Sequence, residues 1–371
     1  MTNTDTSKDC KPRGAGGPRS RLAPWLLLAG GAILAYFLLW PTPIEPAAWQ
    51  PAPEPDWHGL GPASRRLSGI KTLPEVGPGP EAVAATRDGW LYTGLQDGRI
   101  VRMRADGAQQ QTFVRTGGRP LGLKFDSWGN LIVADAFRGL ISISPAGVLT
   151  PLASSVGGER MLFVNDLAIG ADGVIWFSDS SRRFDQHHWI LDFWEARPTG
   201  RLLRYDRGTG KASVVLDHLM FANGVTLGPN DEFVLVAETL GARITRYWLR
   251  GPNAGHTDSF VNSLPGYPDN ITYDPRGLFW LALPSPRQPA LERMAGLPWL
   301  RRFLFHIPAP LRDPGPGRMA WGLGLDIDGR VVHSLRDPSG TYGPVTSVLA
   351  VGGRLYFGSI QTKAIGWVPL P

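Results

Sequence analysis

The feature that most constrains this chain is a unit of four short strands joined by tight turns, first seen in residues 81–115. Glu81 opens the run EAVAAT, and Arg87-Asp88-Gly89 turns the chain into WLYTGL. Gln96-Asp97-Gly98 then leads to RIVRMR, and Ala105-Asp106-Gly107 to QQTFVRT. An Asp-Gly pair between apolar runs marks a hairpin, because Gly takes positive φ without steric cost. Four strands running up and down form the blade of a β-propeller.

The unit recurs from Pro120, Asn165, Asn223 and Asn270, and a last, three-stranded copy starts at Val345. Between the first five copies, spacings of roughly 40 to 58 residues suit blades better than the shorter, more regular solenoid repeats. The expectation is an all-β, six-bladed propeller, in which residues 66–73 supply the missing outer strand and close the ring. The 46 Gly and 34 Pro without a Gly-X-Y period agree with an all-β chain rich in turns. Two insertions interrupt the pattern. Residues 181–199 carry His187, His188, Trp189 and Trp194. Residues 291–305 read as one amphipathic helix with Arg293, Arg301 and Arg302 among apolar side chains, packed on the blade or touching a membrane surface.

Residues 22–40, LAPWLLLAGGAILAYFLLW, are nineteen residues without a charge. As a helix they span roughly 28 Å, close to the hydrocarbon thickness of a bilayer. Trp25 and Trp40 fall near the two interfaces, Pro24 sits in the tolerant first turn, and Lys8, Lys11, Arg13, Arg19 and Arg21 precede the run. The segment reads as a signal-anchor with a cytoplasmic N-terminus; a cleaved signal peptide is the competing reading, weakened by the length of the apolar run. In either case the bulk of the chain is exported, to the periplasm in a bacterium and to the lumen or exterior otherwise. The expected layout is a cytoplasmic tail over 1–21, an anchor over 22–40, a stiff Pro-rich linker with the closing strand over 41–80, and the propeller over 81–371.

Composition excludes other classes. With 43% hydrophobic residues the chain is not disordered. Its net charge of +6 comes from scattered arginines, so no nucleic-acid partner is expected. Cys10, the only cysteine, precedes the apolar run, so the domain holds no disulfide. Gly208-Thr209-Gly210-Lys211 lacks the first Gly and the following helix of a phosphate loop. His187-His188 has no partner at metal-ligand spacing and reads as surface.

The first strand of each blade lines the central channel, so polar residues at its start face the axis. There stand Glu81, Asn165, Asn223 and the pair Asp269-Asn270. Asn and Asp also cap turns, but their return at the same point of four units points to a metal. Oxygen ligands without nitrogen or sulfur select Ca²⁺ or Mg²⁺, and ligands gathered from separate blades suit the looser geometry of one Ca²⁺. Leu121, Phe221, Tyr267 and Trp321 are expected to face the channel and to suit an apolar small molecule.

Gly79-Pro80-Glu81, Arg119-Pro120-Leu121-Gly122, Asn165-Asp166-Leu167, Phe221-Ala222-Asn223-Gly224-Val225 and Leu264-Pro265-Gly266-Tyr267-Pro268-Asp269-Asn270-Ile271 carry a resemblance. From residue 79 onward the chain resembles the strictosidine synthase-like family, and its anchor and linker are similar to the adipocyte plasma membrane-associated branch. The resemblance implies a six-bladed propeller related to paraoxonases and gluconolactonase (senescence marker) lactonases. In those relatives a catalytic Ca²⁺ is held by a Glu, Asn residues and an Asp-Asn pair, matched here by Glu81, Asn165, Asn223, Asp269 and Asn270. The synthase's catalytic Glu falls at or next to Thr346, where no acid stands, and its disulfide cannot form with one cysteine. The paraoxonase His dyad has no counterpart near Arg119-Pro120-Leu121. The expected function is therefore a membrane-anchored, Ca²⁺-dependent hydrolase of esters or lactones, arylesterase- or lactonase-like, with Asp269 as general base. The alternative is a non-catalytic, Ca²⁺-stabilised propeller that binds a lipid or protein partner. Amine–aldehyde condensation is disfavoured.

Overall fold

The computed structural model describes Thr2 and residues 23–56, 64–313, 319–337 and 339–371. Cys10 and the basic residues before the apolar run lie outside them. The chain forms two compact units, Met1–Thr42 and Pro43–Pro371. In the first, one α-helix covers Ala23–Leu39, 17 residues with no charge, and its large side chains such as Trp25, Leu27 and Leu39 are exposed. Among the described residues no helix is long and apolar enough to cross a membrane.

The second unit is a six-bladed β-propeller built from six four-stranded antiparallel sheets. Blade 1 uses Val83–Ala85, Trp90–Gly94, Arg99–Arg104 and Gln111–Arg115, and its Asp-Gly turns hold Gly89 and Gly98 at φ +88° and +80°. Blades 2, 3, 4 and 5 begin with Pro120–Phe125, Val164–Ile169, Ala222–Leu227 and Ile271–Asp274. Blade 6 takes its inner three strands, Val345–Val351, Arg354–Ser359 and Gly366–Pro369, from the end of the chain. Its outer strand is Lys71–Thr72, which pairs with Trp367 and Gly366 and closes the ring. Alternating apolar residues on each strand bury between neighbouring sheets, so the core is a cycle of inter-blade clusters. Tyr92 meets Leu123 and Val133 between blades 1 and 2, for example, and Leu91 meets Tyr356 and Ile365 between blades 1 and 6.

Trp321 belongs to this core and not to the channel. It is 1% exposed, packs with Phe279 and Leu281 between blades 4 and 5, and carries the Arg336 guanidinium 5.4 Å from its ring. The reason is its strand: Ala320–Leu325 is the third of its blade, away from the axis, so its side chains meet the next sheet.

The insertion expected as one helix over 291–305 is broken into Pro289–Arg293, Pro298–Leu304 and Ala309–Arg312. Gly296 and Pro298 interrupt it, since a proline starts a helix far more readily than it continues one. The earlier insertion forms a 3₁₀ turn, Gln186–His188, and an α-helix, Trp189–Glu195, ended by Ala196 in the left-handed region at φ 51°. Nor is the Pro-rich segment a free spacer along its described part. Ala47 donates to the Glu195 carbonyl at 2.9 Å and Trp49 to the Ala295 carbonyl at 3.3 Å, so residues 44–53 lie across both insertions.

The second strands of blades 2, 3 and 4 end in fully buried acids, Asp135, Asp179 and Glu238. Asp135 Oδ1 accepts from the Arg119 N–H at 3.0 Å, Asp179 Oδ1 from the Phe163 N–H at 3.0 Å, and Glu238 Oε2 from the Met220 N–H at 2.8 Å. Each acid thereby pins the chain entering the first strand, the segment that faces the axis. Asp179 also takes the buried Arg201 guanidinium at 2.5 Å. Arg201→Leu strands that carboxylate and is expected to lower the unfolding free energy by about 3–5 kcal/mol in chemical denaturation. Asp179→Asn combined with Arg201→Leu keeps the backbone acceptor without the charge and should lose clearly less.

Candidate metal and active site

The channel end of the first strand is irregular in blades 2, 3, 4 and 6. In blades 3 and 4 the register with the second strand shifts between Val164 and Leu167 and between Ala222 and Val225. Such bulges re-aim side chains, and here they fall on Asn165 and Asn223. Glycines let the blades close on this point. A Cβ on Gly224 would lie 2.5 Å from the Asp269 carbonyl oxygen, and one on Gly122 would lie 2.6 Å from Asp166 Oδ1.

Glu81, Asn165, Asn223, Asp269 and Asn270 are all buried, at 2–8% exposure. Glu81, Asn165, Asn223 and Asp269 line one cavity of about 370 Å³, and Asn270 lies beside Asp269 in the chain, its own amide buried. The amide orientations follow from their neighbours. Ser180 Oγ donates to the Ala222 carbonyl at 2.6 Å and therefore accepts from Asn165 Nδ2 at 2.9 Å. Thr239 Oγ1 donates to the Pro268 carbonyl at 2.8 Å and accepts from Asn223 Nδ2 at 3.2 Å. With the NH₂ groups so committed, Asn165 Oδ1 and Asn223 Oδ1 are left without a partner, as are Glu81 Oε2 and Asn270 Oδ1. Four buried oxygens without hydrogen bonds are costly unless a cation or donor meets them.

The electrostatics point the same way. Burial pushes the Glu81 carboxyl up to about 7; Arg119, whose Nη2 lies 3.9 Å from Oε2, holds it down, and the charge of Asp166 adds to the rise. Asp269 is raised well above the ordinary carboxylate range by burial, then by the charges of Glu81 and Asp166. Asp166 is itself raised by burial, against the pull of Lys124, and accepts the Val225 N–H at 2.9 Å. Three buried carboxyls thus stand against two cations, Arg119 beside Glu81 and half-buried Lys124 near Asp166, which leaves a negative excess when all are ionised. A divalent cation would neutralise it. Among the described residues no three His, Cys, Asp or Glu side chains cluster as a metal group; the donor set is two carboxylates and three amides, all oxygen, which fits Ca²⁺ and not zinc.

Above this polar floor the cavity is apolar. Leu121, Phe221 and Tyr267 line it with Phe163, Trp189 and Phe193. The Tyr267 hydroxyl is committed structurally: burial pushes its pKa up to about 12, and it accepts the Gln288 N–H at 3.1 Å. Thr346 stands outside the cavity, fully buried, with Oγ1 donating to the Glu81 carbonyl at 2.8 Å and its own carbonyl accepting the Asn270 N–H at 3.1 Å. It braces the Glu81 and Asn270 segments. His188 is exposed and bonded to Asp185, and His187 stacks on Phe137 at 4.6 Å.

Sequence reasoning passed over Arg119 and Asp166 as electrostatic partners, although both stand within the quoted motifs Arg119-Pro120-Leu121-Gly122 and Asn165-Asp166-Leu167. It also left the aromatic wall from residues 189–194 unassigned; the run WILDFW between two strands was the available signal.

A strictosidine synthase family profile matches residues 165–252, and a strictosidine synthase-like N-terminal profile matches residues 62–103. Strictosidine synthase-like protein 13 of Arabidopsis thaliana is 35% identical, over 76% of this chain and 75% of that protein. The adipocyte plasma membrane-associated protein of Salmo salar is 34% identical, over 91% of this chain and 88% of that protein. Two solved structures share the fold. A gluconolactonase from Xanthomonas campestris aligns with a TM-score of 0.60 at 18% identity, covering 90% of this chain and 99% of that one. Regucalcin, a calcium-binding protein from Agrobacterium tumefaciens, aligns at 0.54 and 14% identity, covering 80% and 94%.

The raised carboxyls predict an unusual pH dependence. The folded pKa of Glu81, about 7, lies above its ordinary 4.5, so the metal-free folded chain holds a proton that the unfolded chain releases. The stability from that proton is present below the unfolded value and is lost as pH rises through the folded one. The melting temperature of EDTA-treated protein is expected to fall between about pH 5 and 8, beyond the trend of an Asp269→Asn/Glu81→Gln variant. Added Ca²⁺ should raise it more at the upper end of that range, where the carboxyls are ionised.

Proposed function

This chain belongs to the strictosidine synthase-like family, and on that premise we propose that it is a membrane-anchored, Ca²⁺-dependent hydrolase of esters or lactones. The observation that carries the reading is the set of buried oxygens without hydrogen bonds on Glu81, Asn165 and Asn223 beside Asp269 at the floor of an apolar cavity. Glu81, Asn165, Asn223, Asp269 and Asn270 would hold the ion. A bound Ca²⁺ supplies Lewis acidity, polarising the substrate carbonyl and stabilising negative charge on its oxygen.

The chain's own residues supply the rest. Asp269, in the cavity beside the ion-holding oxygens, accepts a proton on its carboxylate from the attacking water. The water oxygen bonds to the acyl carbon, the acyl–oxygen bond breaks, and the same proton passes to the departing alkoxide, giving acid and alcohol. Phe163, Trp189, Phe193 and Phe221 hold the apolar part of the substrate and exclude bulk water. No acid stands at Thr346 to drive the synthase-type condensation.

The anchor belongs to the same reading. Residues 22–40 are proposed to span the membrane, with the propeller on the exported side. Support comes from the uncharged helix with its exposed apolar side chains, and from a relative named for the adipocyte plasma membrane. A second reading, a non-catalytic propeller stabilised by Ca²⁺, draws on the absence of histidine among the described residues lining the cavity.

The two are separated by assay of the full chain on phenyl acetate and a lactone panel. The hydrolase reading expects turnover lost on chelation and restored by Ca²⁺. Asp269→Asn keeps an oxygen donor but removes the base and should lower kcat about 10²–10⁴-fold with Ca²⁺ binding retained. A Ca²⁺-dependent melting temperature with no turnover of any ester or lactone would establish the second reading instead.

A further inference from the structure

The insertions that roof the cavity carry an exposed face that the hydrolase reading does not use. Leu297, Trp299 and Leu311 are 39%, 66% and 80% exposed, all within the insertion of blade 5. Trp299 and Arg302, three residues apart, share one face of the helix Pro298–Leu304, while Arg301 is buried on another. Exposed Arg293 and Arg302 form no ion pair among the described residues, whereas the acids of this insertion are already engaged, Glu292 by Arg287 and Asp313 by Arg312. The outer face is therefore apolar, aromatic and cationic, the combination that favours an anionic lipid interface.

The inner side of the same insertion is cavity wall: Gln288, Ala290, Leu291 and Met294 line the pocket together with Trp189 and Phe193 of the first insertion. The chain that follows the apolar helix is tied to this roof. Arg301 donates to the carbonyls of Ala47, Trp194 and Glu195 and lies 4.5 Å from the Trp49 ring, a buried cation clasping all three segments. Arg197 Nε donates to the Glu45 carbonyl at 2.7 Å, and Glu45 N–H to Glu195 Oε1 at 2.8 Å. Ile44 is 1% exposed and follows Leu39, the last residue of the helix, by five positions. Five residues of chain reach at most about 18 Å.

We propose that the roof formed by residues 289–312 is a bilayer-docking surface: Leu297, Trp299 and Leu311 enter the lipid interface, Arg293 and Arg302 meet anionic headgroups, and the cavity beneath receives its substrate from the lipid phase. This rests on the anchored reading of residues 22–40, which brings the bilayer within reach, and it deepens the hydrolase reading by naming a membrane-partitioned substrate.

Depth-dependent quenching in the full chain tests it without requiring catalysis. Cys10→Ser removes the only cysteine; Trp299→Cys or Leu311→Cys then takes an environment-sensitive fluorophore. Trp128→Cys is the control: it is 65% exposed and lies in the turn after the first strand of blade 2, at the opposite end of that strand from the axial site. Each protein is reconstituted in phosphatidylcholine–phosphatidylserine vesicles containing doxyl-labelled lipid. The expected result is loss of most emission at 299 and 311, a blue shift there, and protection from aqueous iodide, with none of these at 128. Labels at 299 and 311 that respond as the one at 128 does overturn the proposal. Failure of the chain to float with vesicles overturns the anchored reading and this one together. In activity, Leu297→Ser/Trp299→Ser/Leu311→Ser should lose several-fold turnover of a long-chain ester held in vesicles while keeping that of a water-soluble ester. Equal loss on both substrates contradicts lipid-phase delivery, and no turnover of either by the unsubstituted chain sinks the hydrolase reading while leaving the quenching result to stand or fall alone.

Discussion

The structure depends on one short pairing, that of Lys71–Thr72 with Trp367 and Gly366. A propeller is a sheet arrangement with no ends only while its first and last blades are joined; unjoined, blade 6 would show an open edge and its neighbour a bare apolar face. The pairing itself is two residues long, so it does not hold the ring alone. Leu73 and Val76 continue it through backbone bonds to Ile365 and Lys363 and bury against Val83, Leu91 and Tyr356. Closure then has a chemical consequence. It sets Glu81, the entrance to blade 1, against Thr346 and Ser347 of blade 6, which both donate to its carbonyl. The axial site is assembled by the same event that closes the fold.

That site is an instance of burial working against itself. Desolvation raises the proton affinity of Glu81, Asp166 and Asp269 together, and neither Arg119 at Glu81 nor Lys124 at Asp166 offsets it. Protonation relieves the charge but leaves the amide oxygens of Asn165, Asn223 and Asn270 without donors. A divalent cation relieves both, which is why the oxygen count and the charge count have to be read together. The serine and threonine hydroxyls that turn the amides inward are as much part of the arrangement as the amides.

Much of this was legible in the sequence, and for a definite reason. Strands with a period of two, punctuated by Asp-Gly turns, announce blades at every copy, and repetition makes the starts of the copies comparable. Glu81, Asn165, Asn223 and Asp269-Asn270 could be singled out because each stands at the same point in its unit. Positions outside the repeat gave no such reference. Trp321 follows the long insertion of blade 5, where counting strands from the axis breaks down, and it proved to belong to the third strand and the core. Residues 291–305 have helical composition throughout, and only the Gly296–Pro298 interruption divides them. The docking of residues 44–53 on the roof depends on backbone carbonyls meeting Arg301 and Arg197, and a Pro-rich stretch looks alike whether it is free or bound.

Thr346 shows how the scaffold limits its own chemistry. The position sits where the synthase resemblance calls for a catalytic acid, yet here its hydroxyl and carbonyl are spent on Glu81 and Asn270, and the side chain is fully buried. A carboxylate in its place would add a fourth acid to a buried group already in negative excess, and would remove one of the two hydroxyl donors that fix the Glu81 backbone. Bracing the axial segments and presenting an acid at this position are therefore competing demands on one side chain. A chain that keeps the brace keeps the axial oxygens of Glu81 and Asn270 in register across the seam between blades 1, 5 and 6.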